Sequence, residues 1–175
     1  MAKFTGTSGI NHIIGTASAD TILGLGGNDI LEGRGGADTI DGGAGNDRII
    51  GDAGADTLTG GAGSDTFVYG SLADSRYGSY GSGADWITDW NAQDRIDLSG
   101  IDANATIAGN QAFHFAGYSF GHPPAVTAPG TLTIGGFGGE LWIIGYTDNI
   151  AGPDLLINLW SAADESALTV SNLVL

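Results

Sequence analysis

"GGAGNDRIIGDAGADTLTGGAGSDTF", residues 42–67, is one pattern written three times: a glycine, an aspartate five residues on, an apolar residue two further, and the same again after nine. Carrying the phase in both directions gives seven registers, starting at Gly6: GTSGINHII, GTASADTIL, GLGGNDILE, GRGGADTID, GGAGNDRII, GDAGADTLT and GGAGSDTFV. The first position is glycine in every register, and the fourth is glycine except at Ser18. The sixth is Asp20, Asp29, Asp38, Asp47, Asp56 and Asp65, with Asn11 in the opening register. The eighth is Ile13, Ile22, Leu31, Ile40, Ile49, Leu58 and Phe67. A flexible glycine-rich linker would show neither an apolar column nor a fixed phase.

A coil of parallel strands meets these constraints. Three residues centred on the eighth position make a short strand with the apolar side chain pointing inward. The six before it make a tight turn, in which glycine is expected to supply positive φ. Two such turns complete a coil, so strands stack at about 4.8 Å and loops on one edge lie 18 residues apart. Asp20, Asp38 and Asp56 then line one edge, and Asp29, Asp47 and Asp65 the other. Carboxylates about 5 Å apart repel by roughly 3 kcal/mol per pair at an effective dielectric near 20. A divalent cation between successive loops reverses that sign. Oxygen ligands alone, with no His or Cys nearby, suit calcium rather than zinc, copper or strictly octahedral magnesium.

Composition narrows the alternatives. The chain has 175 residues, 20 acidic against five basic, and a net charge of −15, which argues against nucleic acid and anionic membrane surfaces as partners. An apolar content of 42% is too high for a disordered acidic chain. There is no cysteine, so disulfides and thiolate sites are excluded. The opening "MAKFTGTSGINHII" lacks a signal-peptide core, and no apolar run reaches membrane-spanning length, so neither classical secretion nor membrane insertion is expected.

The registers resemble the RTX calcium-binding nonapeptide, GGxGxDxUx. The resemblance implies an all-β fold: a right-handed parallel β-roll over residues 1–76, with calcium ions along each edge. It also implies that one loop offers its second and fourth carbonyls and its aspartate. The loop one coil later offers its first and third carbonyls and its aspartate. On that basis one site is Thr16, Ser18, Asp20, Gly33, Gly35 and Asp38, and a second is Leu25, Gly27, Asp29, Gly42, Ala44 and Asp47. A third is Arg34, Gly36, Asp38, Gly51, Ala53 and Asp56, and a fourth is Gly43, Gly45, Asp47, Gly60, Ala62 and Asp65. A fifth pairs Asp52, Gly54 and Asp56 with Tyr69, Ser71 and Asp74. About four to six ions are expected in all. Asn11 leaves any site between the first and third registers one carboxylate short.

From residue 77 to 175 the period vanishes, and short strands are expected in "DWITDW", "DRIDLS", "AFHFAG", "TLTIGGF", "ELWIIGY", "DLLINLW" and "LTVSNLVL". This half reads as a small antiparallel, sandwich-like cap on the roll. The stretch "DSRYGSYGSGADWITDW" (74–90) is similar to the R-modules of mannuronan C-5 epimerases, and the neighbourhood also resembles that of serralysin-type metalloproteases. The ending "ALTVSNLVL" is similar to the tails of proteins exported by type I secretion. These resemblances imply a secreted protein with a type I exporter as partner.

No catalytic constellation emerges. His12, His114 and His122 lack the HExxH spacing of a zinc protease, and no serine stands in a nucleophile elbow. The carboxylates Asp85, Asp89 and Asp94 suit strand ends or a last calcium site better than glycosidase chemistry. The expected function is therefore a non-catalytic calcium-binding module that folds on extracellular calcium and serves an attached or partner enzyme. The alternative is an R-module that binds an alginate-like polyuronate, with Trp86, Trp90, Trp142, Trp160 or Tyr146 stacking on sugar rings. Only Lys3, Arg34, Arg48, Arg76 and Arg95 are available to meet such a polyanion.

Overall fold

The computed structural model describes residues 1–76, 83–102, 113–120, 129–137, 140–147, 154–160 and 168–175, with backbone alone for 115–120, 137 and 160. Its first ten strands are β1 (Lys3–Thr5), β2 (His12–Ile14), β3 (Thr21–Leu23), β4 (Ile30–Glu32), β5 (Thr39–Ala44), β6 (Arg48–Ile50), β7 (Thr57–Ala62), β8 (Thr66–Val68), β9 (Asp85–Ile87) and β10 (Arg95–Asp97). Odd-numbered strands stack in parallel in one sheet and even-numbered strands in another, so the chain changes sheet at every turn. The eighth-position residues stand in register inside. Ile22, Ile40, Leu58 and Ile87 form one column, and Leu31, Ile49, Phe67 and Ile96 the other, all at most 1% exposed. Burying one such side chain stabilises by about 1.5–3 kcal/mol, but only when the neighbouring coils are in place.

The parallel ladders run on past residue 76. Thr39 pairs with Thr57, 18 residues away, whereas Thr57 pairs with Trp86 and Thr66 with Arg95, each 29 residues away. Asp85-Trp86-Ile87 and Asp94-Arg95-Ile96 thus repeat the sixth-to-eighth positions after an excess of eleven residues. The segments read as antiparallel at 85–90 and 94–99 are parallel strands of the roll. The insertion displaced their phase without changing the residues that direct them.

The remaining strands are β11 (His114–Phe120), β12 (Thr131–Phe137), β13 (Glu140–Tyr146), β14 (Leu155–Trp160) and β15 (Leu173–Val174). β12, β13 and β14 are antiparallel, as expected, while β11 pairs with β12 in parallel. They do not lie across the mouth of the roll as a separate layer. β14 pairs in parallel with β9, so they extend the odd-numbered sheet to nine strands. An exposed strand edge offers unpaired N–H and C=O groups, and β14 satisfies those of β9. Leu132, Ile143, Leu155 and Ile157 join the same apolar cluster as the roll.

The C-terminal tail closes the other sheet. β15 pairs in parallel with β10, and the Leu98 N–H donates to the Val174 carbonyl at 2.9 Å. The Asn172 amide donates to the carbonyls of Ala92 and Asp94, at 3.1 and 2.9 Å. Leu168 is 2% exposed and belongs to the core.

Candidate metal centre

Each edge of the roll is organised by one repeated hydrogen bond. The aspartate N–H of one coil donates to Oδ1 of the aspartate in the next. Asp20 donates to Asp38 at 2.7 Å, Asp38 to Asp56 at 2.8 Å and Asp56 to Asp85 at 2.9 Å. On the opposite edge Asp29 donates to Asp47 and Asp47 to Asp65, both at 2.8 Å, and Asp65 to Asp94 at 3.0 Å. The six repeat aspartates therefore stand on the two edges that the nine-residue period assigns, with Asp85 and Asp94 continuing the ladders.

The second carboxylate oxygen behaves differently. Oδ2 of Asp29, Asp38, Asp47, Asp56, Asp65 and Asp85 is buried and has no hydrogen-bond partner. An unpaired buried carboxylate oxygen is costly, and a row of them at strand spacing more so. Their setting explains the invariant first-position glycine. A Cβ at Gly24, Gly33, Gly42, Gly51 or Gly60 would collide with Oδ2 of the aspartate in its own register. At Gly24 it would also stand 2.5 Å from the Gly42 carbonyl oxygen of the next coil. Close approach, not positive φ, demands glycine there. Positive φ falls at other positions of the loop: the second, where Leu25 (77°), Arg34 (76°) and Asp52 (59°) adopt it, and the fourth, as at Gly27 (101°) and Gly36 (104°).

The loops expected to share a site are stacked on one another. The carbonyls of Thr16, Leu25 and Arg34 accept from the N–H of Gly35, Ala44 and Ala53, at 3.3, 3.0 and 3.1 Å. The N–H groups of Gly27, Gly36 and Gly45 donate to the carbonyls of Ala44, Ala53 and Ala62. Ser18 and Asp20 thus face the loop of Gly33 and Asp38, and Gly43 and Asp47 face that of Gly60 and Asp65. The fifth set is arranged otherwise. Asp52, Gly54 and Asp56 are followed on their edge by Asp85, while Asp74 turns back to accept from the N–H groups of Gly70 and Ser71. Tyr69 points into the core and is 1% exposed. Among the described residues no three His, Cys, Asp or Glu side chains converge, so a cation would rest on two carboxylates and backbone oxygens. Such a donor set is that of a hard cation.

The charge state of the metal-free ladder follows from burial. Desolvation pushes Asp38 up to about 6, Asp65 to about 6 and Asp56 to about 7, with neighbouring carboxylates adding to the shift. Asp47 and Asp94 are raised for the same first reason. Asp20 is lowered, chiefly by the Thr16 hydroxyl, which donates to its Oδ2 at 2.7 Å. A carboxyl raised in the folded state is stabilising below its unfolded pKa, and that contribution is lost as pH rises through the folded value. In chelator, lowering the pH from about 8 to about 5 should therefore increase strand circular dichroism. A flat or falling signal would contradict the buried ladder.

His12 lies on the surface of β2, 3.0 Å from Glu32 Oε1, and His114 is exposed on β11. His122 lies outside the described residues. Asp89 accepts from the N–H groups of Gly60 and Gly61, at 2.9 and 2.7 Å, so it braces the last regular loop. Asp85 and Asp94 were distinguishable in the sequence by one signal, the D-x-I triplet at the spacing of nine that they share.

A sequence model of RTX calcium-binding nonapeptide repeats, in four copies, matches residues 5–40, 32–67 and 41–75. No curated protein matches the chain. Two similar solved structures are subunits of the Azotobacter vinelandii mannuronan C5-epimerase. The AlgE6R3 subunit is 29% identical, covering 97% of this chain and 80% of its own, with a TM-score of 0.43. The AlgE6R2 subunit is 26% identical, covering 97% and 90%, with a TM-score of 0.46.

Proposed function

Starting from a chain whose residues 5–75 are RTX calcium-binding nonapeptide repeats, we propose that it is the calcium-triggered, non-catalytic folding unit of a type I secreted protein. The observation that carries this reading is the row of buried, partnerless Oδ2 oxygens along the two edges. Calcium ions between stacked loops would meet them, with Asp20, Asp38 and Asp56 serving one edge and Asp29, Asp47 and Asp65 the other. Extracellular modules bind calcium at about 10⁻⁴ to 10⁻³ M, so the roll would fill outside the cell and stay empty inside. An exporter that passes unfolded chains would then find this one unfolded. The tail that resembles an export signal is also the last strand of the roll, so export and folding would draw on the same residues.

Interior and terminal aspartates separate this reading from a metal-free ladder. Asp47 has coils on both sides, whereas the outer oxygen of Asp20 is already taken by Thr16. Asp47→Asn should raise the calcium midpoint of folding about tenfold, and Asp20→Asn about threefold at most, read by calorimetric titration. Equal midpoints would overturn the placement of ions between coils.

One observation favours the polyuronate reading as a second. Trp142, Asn158 and Trp86 are direct neighbours on three adjacent strands and share one face, with Trp86 37% exposed. Two indoles flanking an asparagine amide on one face suit stacking on sugar rings. Against it, Arg48 and Arg95 lie on strands of the other sheet. Titrating alginate oligomers into the calcium-loaded chain should show binding that Trp86→Ala abolishes. Binding unchanged by that substitution would remove the row from consideration.

A further inference from the structure

The two edges of the roll differ at the fifth position of the loop, just before the aspartate. On the edge of Asp29, Asp47 and Asp65 that position holds Asn28, Asn46 and Ser64; on the edge of Asp20, Asp38 and Asp56 it holds Ala19, Ala37 and Ala55. The asparagines build a second ladder beside the first. The Asn46 N–H donates to Asn28 Oδ1 and the Ser64 N–H to Asn46 Oδ1, both at 2.9 Å. This ladder runs against the other: Asp29 and Asp47 donate to the coil that follows, whereas Asn46 and Ser64 donate to the coil that precedes. Successive loops on this edge are therefore tied in both directions before any ion arrives. An alanine has no side-chain oxygen with which to do the same.

The added bonds act on peptide groups that face the calcium positions. The Asn46 N–H and the Gly45 carbonyl belong to one trans peptide unit and so point opposite ways. Asn28 draws the N–H back towards its own coil. The Gly45 carbonyl is thereby held facing forward, on the side where Asp47 and Asp65 meet. A Cβ at Gly63, one coil on, would accordingly collide with the Gly45 carbonyl oxygen. Asn46 holds the Gly63 carbonyl in the same way, through Ser64. On the alanine edge the Gly36 carbonyl faces forward too, since a Cβ at Gly54 would collide with it. There, however, Ala19 stands where Asn28 stands on the first edge, and it offers no oxygen to the Ala37 N–H.

The second loop position points in the same direction. Gly43 and Gly61 each take a φ of 96° on the asparagine edge, which glycine adopts freely. Arg34 and Asp52 take 76° and 59° on the alanine edge, where a Cβ is costly. Leu25, at 77°, departs from this on the asparagine edge.

We propose that Asn28 and Asn46 are positioning residues that make the two rows of calcium sites unequal, with the Asp29–Asp47–Asp65 row holding its ions more tightly. The inference rests on the calcium-binding reading above and goes beyond it, because the nine-residue period by itself makes the rows equivalent. As calcium falls, the alanine edge should empty first while the asparagine edge stays filled.

The test is calcium release from the loaded whole chain into excess chelator, followed by stopped flow. The wild type should release its ions in two phases, the slower about three- to tenfold behind the faster. Asn28→Ala combined with Asn46→Ala should speed the slow phase until the two merge, leaving the fast phase alone. Ala37→Asn places an Oδ1 acceptor before the Ala55 N–H and should slow the fast phase by a similar factor. A single phase in the wild type overturns the proposal. So does a double variant that changes neither phase, or that speeds both alike, since the asparagines would then serve the fold and not one row. Should the double variant fail to fold, Ala37→Asn decides, and an unaltered fast phase there overturns the proposal. A wild-type chain that takes up no calcium at all sinks the broader reading instead.

Discussion

In chelator the roll should lose its strand circular dichroism, and millimolar calcium should restore it. The size of the effect follows from what is buried. Six carboxylates stand at 1–2% exposure on two edges, and adjacent pairs at strand spacing repel by roughly 3 kcal/mol at an effective dielectric near 20. The eight inward side chains must offset that repulsion together with the ordering of glycine-rich loops, among the costliest residues to order. Each filled site contributes RT ln(1 + [L]/Kd), about 0.4–1.4 kcal/mol in millimolar calcium for a Kd of about 10⁻³ to 10⁻⁴ M. Four sites would then supply about 2–6 kcal/mol, a large part of the stability of an ordinary domain. A chain equally strand-rich in chelator and in calcium would show that the apolar columns suffice alone.

Gly42→Ala should cost about 3 kcal/mol or more and move the calcium midpoint of folding with it. The added methyl would meet the Gly60 carbonyl oxygen at 2.6 Å and would also collide with Asp47 Oδ2. The first is backbone pinned in a parallel ladder, and the second belongs to an interior carboxylate, so neither can yield cheaply. Gly35→Ala is the matched control. A Cβ there meets nothing closer than the Ala53 carbonyl oxygen at 3.7 Å. Alanine already occupies the same third position at Ala44, Ala53 and Ala62. The control should change stability by about 0.5 kcal/mol or less, measured by thermal unfolding in excess calcium. Comparable losses in both variants would mean that glycine is required for chain flexibility and not for close approach.

The contrast between Gly42 and Gly35 shows where the sequence was legible. A column of glycine beside a column that tolerates alanine, read with the aspartate and apolar columns, places strands, edges and core before any coordinates are seen. Asp20 through Asp65 fell on their predicted edges because strand alternation leaves little freedom once the period is known. Asp85 and Asp94 were hidden because periodicity records phase, and the extra residues after Asp74 shift the phase while leaving the local D-x-I rule intact. Asp74 misled for the converse reason. It keeps the phase, nine residues after Asp65, yet the chain leaves the coil there and the carboxylate closes a turn. The second half resisted for a third reason. Whether β14 covers the roll's mouth or prolongs its sheet depends on an unpaired edge at β9, a property of the assembled coil that no local pattern carries.

The 18-residue coil also has a mechanical meaning. Each coil winds about 60 Å of extended chain into a single strand spacing of about 4.8 Å, a shortening of roughly twelvefold. Stretched along its axis, such a rod does not yield gradually; it surrenders one winding at a time, in equal increments of contour length. Between β1 and β10, the coil of 29 residues breaks that series with a longer increment, of about 100 Å. In a force–extension trace of those coils, a sawtooth of equal teeth would be interrupted by a larger one, and that tooth marks the winding that ends at Asp85.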